Sequence, residues 1–347
     1  MKLIIPVAGS STRYQGTRPK WLLTMPNGKL MIEKSLSGLD LENIEEIIII
    51  MLKDHTKYIK PEVLISSLKK ISNIPTYIFF IDNATVSQPS TISKYLESSS
   101  LDFEFFIKDS DNYFEFKPKP GNCVSFVDLG KIDLVDAGSK SYIAKNNFDE
   151  IERIVEKKVI SDIFCCGGYG FKSSKDFLQT YEALGGDSNT DLYISHLIQK
   201  KLLDGSTFHA YEAFSYESYG TLVEFRNFVD EVKTIFCDFD GVLVKNSSKF
   251  ASPPWQYVPI ESNLLYLEEF LSESKDSKLI ITTSRPQTEE LNIKSFLKEY
   301  KINCHCIICS LPHAKRILVN DFSKSNPYPS SIAINLPRDS DKLSNYF

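Results

Sequence analysis

What most restricts the fold of this chain is an alternation that recurs along its length: a short apolar run, a polar loop, then an amphipathic stretch. Residues 3–7, 47–52, 77–81, 103–107, 234–237 and 279–282 form apolar runs of strand length. Residues 90–98, 174–184 and 192–203 space their apolar side chains as helices do. Strands this apolar need cover on both faces, and helices on either side of a mostly parallel sheet supply it. The expected class is α/β, with the chemistry in loops just beyond the carboxyl ends of the strands.

The alternation restarts near Glu231, where Thr234-Ile235-Phe236-Cys237 opens a new strand that runs into an acidic loop. With 347 residues, the chain exceeds what one core ordinarily covers. Two domains are expected, 1–230 and 231–347, with the boundary between 226 and 233. A charged content of 24% and a net charge of -5 give no basic field for nucleic acid, so none is expected as a partner. No apolar stretch reaches the ~18 residues of a membrane span, and no membrane partner is expected. Met1-Lys2-Leu3-Ile4-Ile5-Pro6 is too short for a signal peptide and is taken as a strand. Seven cysteines, an odd number without small-domain spacing, point to thiols in a reducing compartment, hence a cytoplasmic protein.

The first strand runs into Pro6-Val7-Ala8-Gly9-Ser10-Ser11-Thr12-Arg13. Small residues at Ala8, Gly9, Ser10 and Ser11 let backbone N–H groups turn toward a polyphosphate. Arg13 offers a planar fork to phosphate oxygens. Lys20, in Thr17-Arg18-Pro19-Lys20-Trp21-Leu22, returns as a second cation.

First strand, Ala-Gly-x-x-x-Arg, a short gap and Pro-Lys-x-Leu together resemble the signature of the sugar nucleotidyltransferases (nucleoside-diphosphate-sugar pyrophosphorylases), and the resemblance continues in order over roughly 225 residues. It implies a Rossmann-like nucleotidyltransferase domain. Ser87-Gln88-Pro89-Ser90-Thr91-Ile92 resembles the base-binding segment, with Gln88 and Thr91 as contacts; the alternative is a polar helix start capped by Ser90. Phe105-Phe106-Ile107-Lys108-Asp109-Ser110-Asp111-Asn112 ends an apolar run in acids where the family places a metal-binding Asp. Asp111 is the first candidate for Mg²⁺ and Asp109 the second. Val155-Glu156-Lys157-Lys158 resembles the Glu-Lys pair that contacts the sugar and its phosphate, and Cys166-Gly167-Gly168 the strand after it, with Gly168 in the sugar-phosphate site. One departure stands out. Where the family carries a second metal-binding Asp, Tyr216-Glu217-Ser218-Tyr219-Gly220-Thr221 presents Ser218. Either Glu217 substitutes, or one carboxylate holds the ion with phosphates and waters. The implied reaction is attack by a sugar or polyol phosphate on the α-phosphorus of a nucleoside triphosphate. Arg13 would stabilise the leaving pyrophosphate, and Lys20 would hold the reacting phosphates. Gln88 favours a pyrimidine, CTP slightly ahead.

The second domain opens with Thr234-Ile235-Phe236-Cys237-Asp238-Phe239-Asp240-Gly241-Val242-Leu243. Two carboxylates at i and i+2 beyond a strand suit phosphoryl transfer with Mg²⁺: one attacks phosphorus, the other moves a proton. The segment resembles the first motif of the haloacid dehalogenase superfamily, with Asp238 as nucleophile and Asp240 as acid/base, both in the metal site. Leu279-Ile280-Ile281-Thr282-Thr283-Ser284-Arg285 resembles the second motif, Thr283 binding phosphate and Thr282 in reserve. Lys315, next to Arg316, fits the third motif's cation. Ile317-Leu318-Val319-Asn320-Asp321 is taken as a strand ending in Asp321 as a metal-site acid, without the second acid many such hydrolases carry. About 35 residues separate the first two motifs, too few for a large cap.

Cys304-His305-Cys306-Ile307-Ile308-Cys309 alternates like a strand and lacks a second cysteine pair at zinc spacing, so buried thiols are expected there and at Cys165-Cys166; His313 is taken as structural. The leading expectation is a bifunctional enzyme joining a nucleotidyltransferase to a phosphatase; the fused arrangement resembles capsule and cell-surface glycan enzymes, which implies a role in surface-polysaccharide synthesis. Two alternatives stay open: a transferase with a non-catalytic second domain, or a phosphatase with a nucleotide-sensing first domain. The base, the sugar and any oligomeric state are not given by the sequence.

Overall fold

The computed structural model describes residues 1–9, 18–132, 136–274, 276–321 and 330–346; Ser10, Ser11 and Arg13 of the first loop lie outside these residues. The chain divides into two compact units, Met1–Arg226 and Asn227–Phe347.

In the first unit, β1 (Lys2–Pro6), β2 (Glu46–Leu52), β3 (Thr76–Ile81) and β4 (Phe105–Lys108) form the parallel half of a nine-stranded sheet, in the order β3-β2-β1-β4. The expected runs at 3–7, 47–52, 77–81 and 103–107 therefore fall on strands, displaced by a residue or two at some ends. An antiparallel pair distant in sequence, β5 (Asn112–Glu115) with β11 (Phe214–Ser218), stands apart as a two-stranded sheet. β6 (Cys123–Asp128), β7 (Ser141–Lys145), β8 (Ile151–Glu156), β9 (Ile163–Phe171) and β10 (His209–Glu212) complete the large sheet, with β9 antiparallel to β4, β6 and β7.

The two-residue period of a strand decides which core each side chain joins. Leu3, Ile5, Ile47, Ile49, Met51 and Phe106 pack on one face, with Ile32 and Leu36 of α1 (Met31–Ser37) and Leu64 and Leu68 of α2 (Pro61–Leu68). Ile4, Ile48, Ile50, Phe105 and Ile107 pack on the other, against α3 (Gln88–Leu96), α4 (Ser174–Ala183) and α5 (Ile194–Leu203). Covered on both faces, these strands can be apolar throughout, the feature that made them legible. α3 begins at Ser87, whose side chain accepts the Ser90 N–H at 3.2 Å. The cap is thus Ser87, and Ser90 lies inside the helix, because the chain is still extended at Ser87 and turns helical at Gln88.

α6 (Leu222–Asp230) carries the chain into the second unit, where β12 (Thr234–Asp238), β13 (Lys278–Thr282) and β14 (Cys306–Ile308) form a parallel sheet in that order. α7 (Glu261–Glu273) and α8 (Glu290–Glu299) contribute Leu264, Leu267, Ile293 and Leu297 to its core beside Leu279 and Ile281. Two expectations fail here. Residues 317–321 form no strand: Ile317 is 80% and Val319 88% exposed, and among the described residues no strand pairs with them. An apolar run becomes a strand only when a neighbour accepts its hydrogen bonds. Cys306 is exposed, with Cys304 and Cys309 half-buried, because β14 is an edge strand covered on fewer sides. Cys165 and Cys166, inside β9, are buried as expected. Among the described residues, no helix is long and apolar enough to cross a membrane.

Candidate functional site

β1 and β4 lie side by side in parallel, with Ile4 opposite Ile107, so the loops after them open at the same end of the sheet. From β1 the chain passes to β2 on one side while β4 occupies the other, which makes this the switch point where ligands of such sheets bind. Ala8 is buried there and Gly9 exposed.

β4 ends in a fully buried lysine, Lys108. Its ammonium donates to Ser35 Oγ at 2.9 Å, Asp109 O at 2.7 Å, Asn112 O at 3.0 Å and also Asn112 Oδ1. The ring of Phe114 lies 4.4 Å away. A buried ammonium is tolerated only when its donors are satisfied, and here its partners are the backbone and side chains of the turn it anchors. Burial nonetheless lowers its pKa to about 8.

That turn presents both expected acids. Gln88, in the first turn of α3, donates to Asp109 Oδ1, and Asp109 N–H donates to Gly167 O at 2.9 Å. Lys20 pairs with Asp111 Oδ2, from a short helical turn, Lys20–Leu22, pinned by buried Trp21 and Leu22. Trp21 Nε1 donates to His55 Nδ1 at 3.4 Å. Burial, then the neighbouring Asp111 charge, push the Asp109 carboxyl up to about 6. Burial acts on Asp111 too, but Lys20, with Lys140 and Lys108 behind it, outweighs that and brings it down to about 2. Two carboxylates that repel each other beside three lysines are the kind of charge arrangement that functional sites concentrate.

Along β11 the alternation sends neighbours to different partners. Glu217 bonds to Lys34 Nζ at 3.1 Å and to the Tyr219 hydroxyl. Ser218 Oγ accepts from Lys140 Nζ at 3.2 Å, and the Tyr216 hydroxyl from the same ammonium at 3.0 Å. Glu156 on β8 accepts from Ser141 and, at 2.7 Å, from Ser195. Lys157 reaches the Tyr193 hydroxyl. Thr91 is buried and turns back to Ser87 O at 3.3 Å, serving the helix start. Gly168 is fully covered: a Cβ there would meet the Phe106 ring at 2.8 Å.

Lys20, Asp111, Gln88 and Asp109 are thus brought together, whereas Glu217 is tied to Lys34. Lys108, Asn112, Gly167 and Lys140 belong to the same cluster and were missed. A lysine closing an otherwise apolar strand was a usable signal for Lys108. Lys140, in Gly138-Ser139-Lys140-Ser141, carried none.

In the second unit, Asp238 ends β12 and lies opposite Thr282 of β13. Asp240 is gripped by Arg285, which is fully buried: Nε lies 3.1 and 3.0 Å from its two oxygens and Nη2 lies 2.7 Å from Oδ1. The same guanidinium donates to Trp255 O at 3.1 Å and Gln256 O at 2.7 Å. Thr283 Oγ1 donates to Asp240 Oδ2 at 3.2 Å, and Thr282 Oγ1 to Cys237 O at 3.3 Å. Asp238 meets Arg316 at 3.3 Å; burial and then that cation act on it in opposite senses, and its carboxyl ends up raised. Lys315 and Asp321 are exposed.

Among the described residues, no group of three or more His, Cys, Asp or Glu side chains is arranged to hold a metal. Mg²⁺ keeps several waters and takes one or two carboxylates with substrate phosphates, so the Asp109 and Asp111 carboxylates fit it without a third protein ligand.

No protein-family model matches the chain, and no curated protein matches it. Solved structures do. A nucleoside-diphosphate-sugar pyrophosphorylase from Vibrio cholerae RC9 is 19% identical with a TM-score of 0.56, over 66% of this chain and 99% of its own. The inositol-1-phosphate CTP transferase of T. maritima is 14% identical with a TM-score of 0.51, over 64% of this chain and 90% of its own. A UDP-glucose pyrophosphorylase complexed with UDP-glucose is 14% identical with a TM-score of 0.51, over 66% and 97%. At such identities the likeness is one of fold. About two thirds of the chain, the N-terminal part, therefore has the Rossmann-like α/β fold of the sugar-phosphate nucleotidyltransferases.

Proposed function

We propose that the first unit transfers a nucleotidyl group from a nucleoside triphosphate to a sugar or polyol phosphate, releasing pyrophosphate. The observation that carries this reading is the Lys20, Asp111, Asp109 and Gln88 cluster at the carboxyl ends of β1 and β4. Lys20 would move between Asp111 and a phosphate oxygen, and Asp111, held ionised, would share in positioning the triphosphate. Mg²⁺, when bound, would neutralise charge on the phosphates, with Asp111 and Asp109 as its protein donors. Glu156 and Lys157 would face the acceptor. Ala8, Gly9, Ser10, Ser11 and Arg13 would cradle the leaving pyrophosphate.

The test is a pyrophosphate-release screen with Mg²⁺, each of four nucleoside triphosphates, CTP first, and a panel of sugar and polyol phosphates. Release from one pair, abolished by Lys20→Ala, is the expected result. Full activity in Lys20→Ala would overturn the assignment of the cluster.

A second activity, phosphate-ester hydrolysis, is proposed for the second unit because β12 delivers Asp238 and Asp240 beside Thr283. Arg285 pairs with both oxygens of Asp240, so proton transfer through that carboxyl needs the pair to loosen. Phosphate liberation from the same panel should disappear in Asp238→Asn while pyrophosphate release persists. No liberation by the wild-type chain would leave the second unit a non-catalytic module.

A further inference from the structure

Three ammonium groups surround the acidic turn after β4, and their partners differ in kind. Lys20 is neutralised by Asp111. Lys108 is buried, with every donor spent on the turn it anchors. Lys140 is half-buried, and among the described residues its ammonium bonds to neutral hydroxyls, Tyr216 at 3.0 Å and Ser218 at 3.2 Å. Among the described residues, no carboxylate comes within the 4.0 Å of an ion pair with it. Two hydroxyls leave one of its three donors for a ligand.

Its surroundings hold the charge in place. The rings of Tyr216 and Phe164 lie 5.5 and 5.9 Å from the ammonium. Burial opposes its charge, but the Tyr216 oxygen and then the Glu224 and Asp111 carboxylates sustain it, and its pKa is raised. The supporting hydroxyl also adjoins the acidic turn: a Cβ built on Gly220 would lie 3.6 Å from Asp111 Oδ2 and 3.8 Å from Ser218 Oγ. Tyr219 N–H donates to Asp111 O at 2.8 Å, tying the two segments together. On its other side Lys140 O accepts the Lys157 N–H at 2.9 Å, which places Lys140 against the Glu156-Lys157 pair at the end of β8.

We propose that Lys140 is a phosphate-binding residue of the first unit, its ammonium taking an oxygen of the acceptor's phosphate monoester between Asp111 and the β8 pair. The acceptor's identity as a phosphate ester rests on the transferase reading above; the anion site itself does not. A dianion arriving beside Asp109 and Asp111 meets two like charges, and Lys140 is the partly exposed ammonium there that pairs with no described carboxylate, whereas Lys108 is fully buried with its donors spent. Its partners being hydroxyls, it can turn to the ligand without breaking an ion pair.

The first measurement is titration of the full chain with inorganic phosphate in low-salt buffer containing EDTA, followed by calorimetry. Lys140→Met should weaken binding about tenfold or more, the worth of a charged hydrogen bond, while Lys140→Arg stays within about threefold. Ser218→Asp keeps the lysine but gives it a carboxylate to pair with, and should weaken phosphate as Lys140→Met does. Thermal midpoints of all variants confirm that each folds. No saturable phosphate binding by the wild-type chain overturns the proposal, as does unchanged affinity in both Lys140→Met and Ser218→Asp. With an active substrate pair in hand, Lys140→Met should raise KM for the acceptor about tenfold or more and leave KM for the nucleotide within about twofold. If no pair releases pyrophosphate, the transferase reading fails, while the phosphate titration still decides for or against Lys140.

Discussion

At the scale of single residues, the two acids after β4 share a turn and are driven apart by their neighbours. Asp111 faces Lys20; Asp109 faces Asp111 and the amide of Gln88. The consequence for stability can be signed. Asp109 binds its proton more tightly in the folded chain, with a pKa of about 6 against 3.8 unfolded. Between those values the folded state holds more protons, so stability from this group falls as pH rises from about 4 to 6 and stays lost above. Asp109→Asn removes the repelling charge. It should stabilise the chain at pH 7 by about 1–2 kcal/mol in urea unfolding, lose that advantage near pH 4, and impair pyrophosphate release. Equal destabilisation at both pH values would show that the two acids are not in electrostatic conflict. Asp111 has the opposite sign: its pKa of about 2 means stability present above 3.8 and lost as pH falls toward 2. Lys20→Ala should therefore shift the acid-unfolding midpoint upward as well as abolish activity. Lys20, Gln88, Asp109 and Asp111 were legible because each sits in a local motif. Lys140 was not, because its role depends on Tyr216 and Ser218, which only the folded chain brings near; Lys108 left a signal in closing an apolar strand, but its anchoring to Ser35 shows only in the fold.

At the scale of elements, β9 shows how a strand fixes a site without supplying a reactive group. Gly167 has φ of +94° and accepts the Asp109 N–H through its carbonyl. A Cβ there would stand 2.6 Å from both Asn112 Nδ2 and Asp109 Oδ2. Gly167→Ala meets an unfavourable backbone region and two crowded side chains at once. It should cost about 2 kcal/mol or more in urea unfolding, and pyrophosphate release should fall further than in Gly9→Ala, where the added Cβ meets nothing within 4 Å. Equal behaviour of the two variants would show that the acidic turn tolerates displacement. The strands themselves could be read from the sequence wherever both faces are covered, as in β1, β2 and β4. Composition misled at 317–321, where the run is apolar and yet no described strand pairs with it, since pairing is a property of two segments and the sequence of one does not disclose it.

At the scale of the whole molecule, the first unit buries two cores, one on each face of its large sheet, and the second buries a single smaller one. Buried apolar area is the main source of cooperative stability, and a smaller core leaves a thinner margin over conformational entropy. Among the described residues the second unit has three strands, and Phe236 on its edge strand β12 is 53% exposed. Two calorimetric transitions are expected from the intact chain, the lower belonging to the C-terminal unit. A chain ending at Asp230 should lose the lower transition and keep the upper within about 2 °C, a shift corresponding to no more than about 1 kcal/mol for a domain of this size. It should also keep pyrophosphate release within about twofold. A single transition in the intact chain, or a fragment whose upper transition falls by about 10 °C, would mean that the cores stabilise one another and that the units are not independent bodies. Because Asp238 ends a strand of the second unit, whose core is separate from those of the first, Asp238→Asn should move only the lower transition. The same two-transition profile would then report on each unit separately, with Lys20→Ala and Asp109→Asn read in the upper transition and Asp238→Asn in the lower.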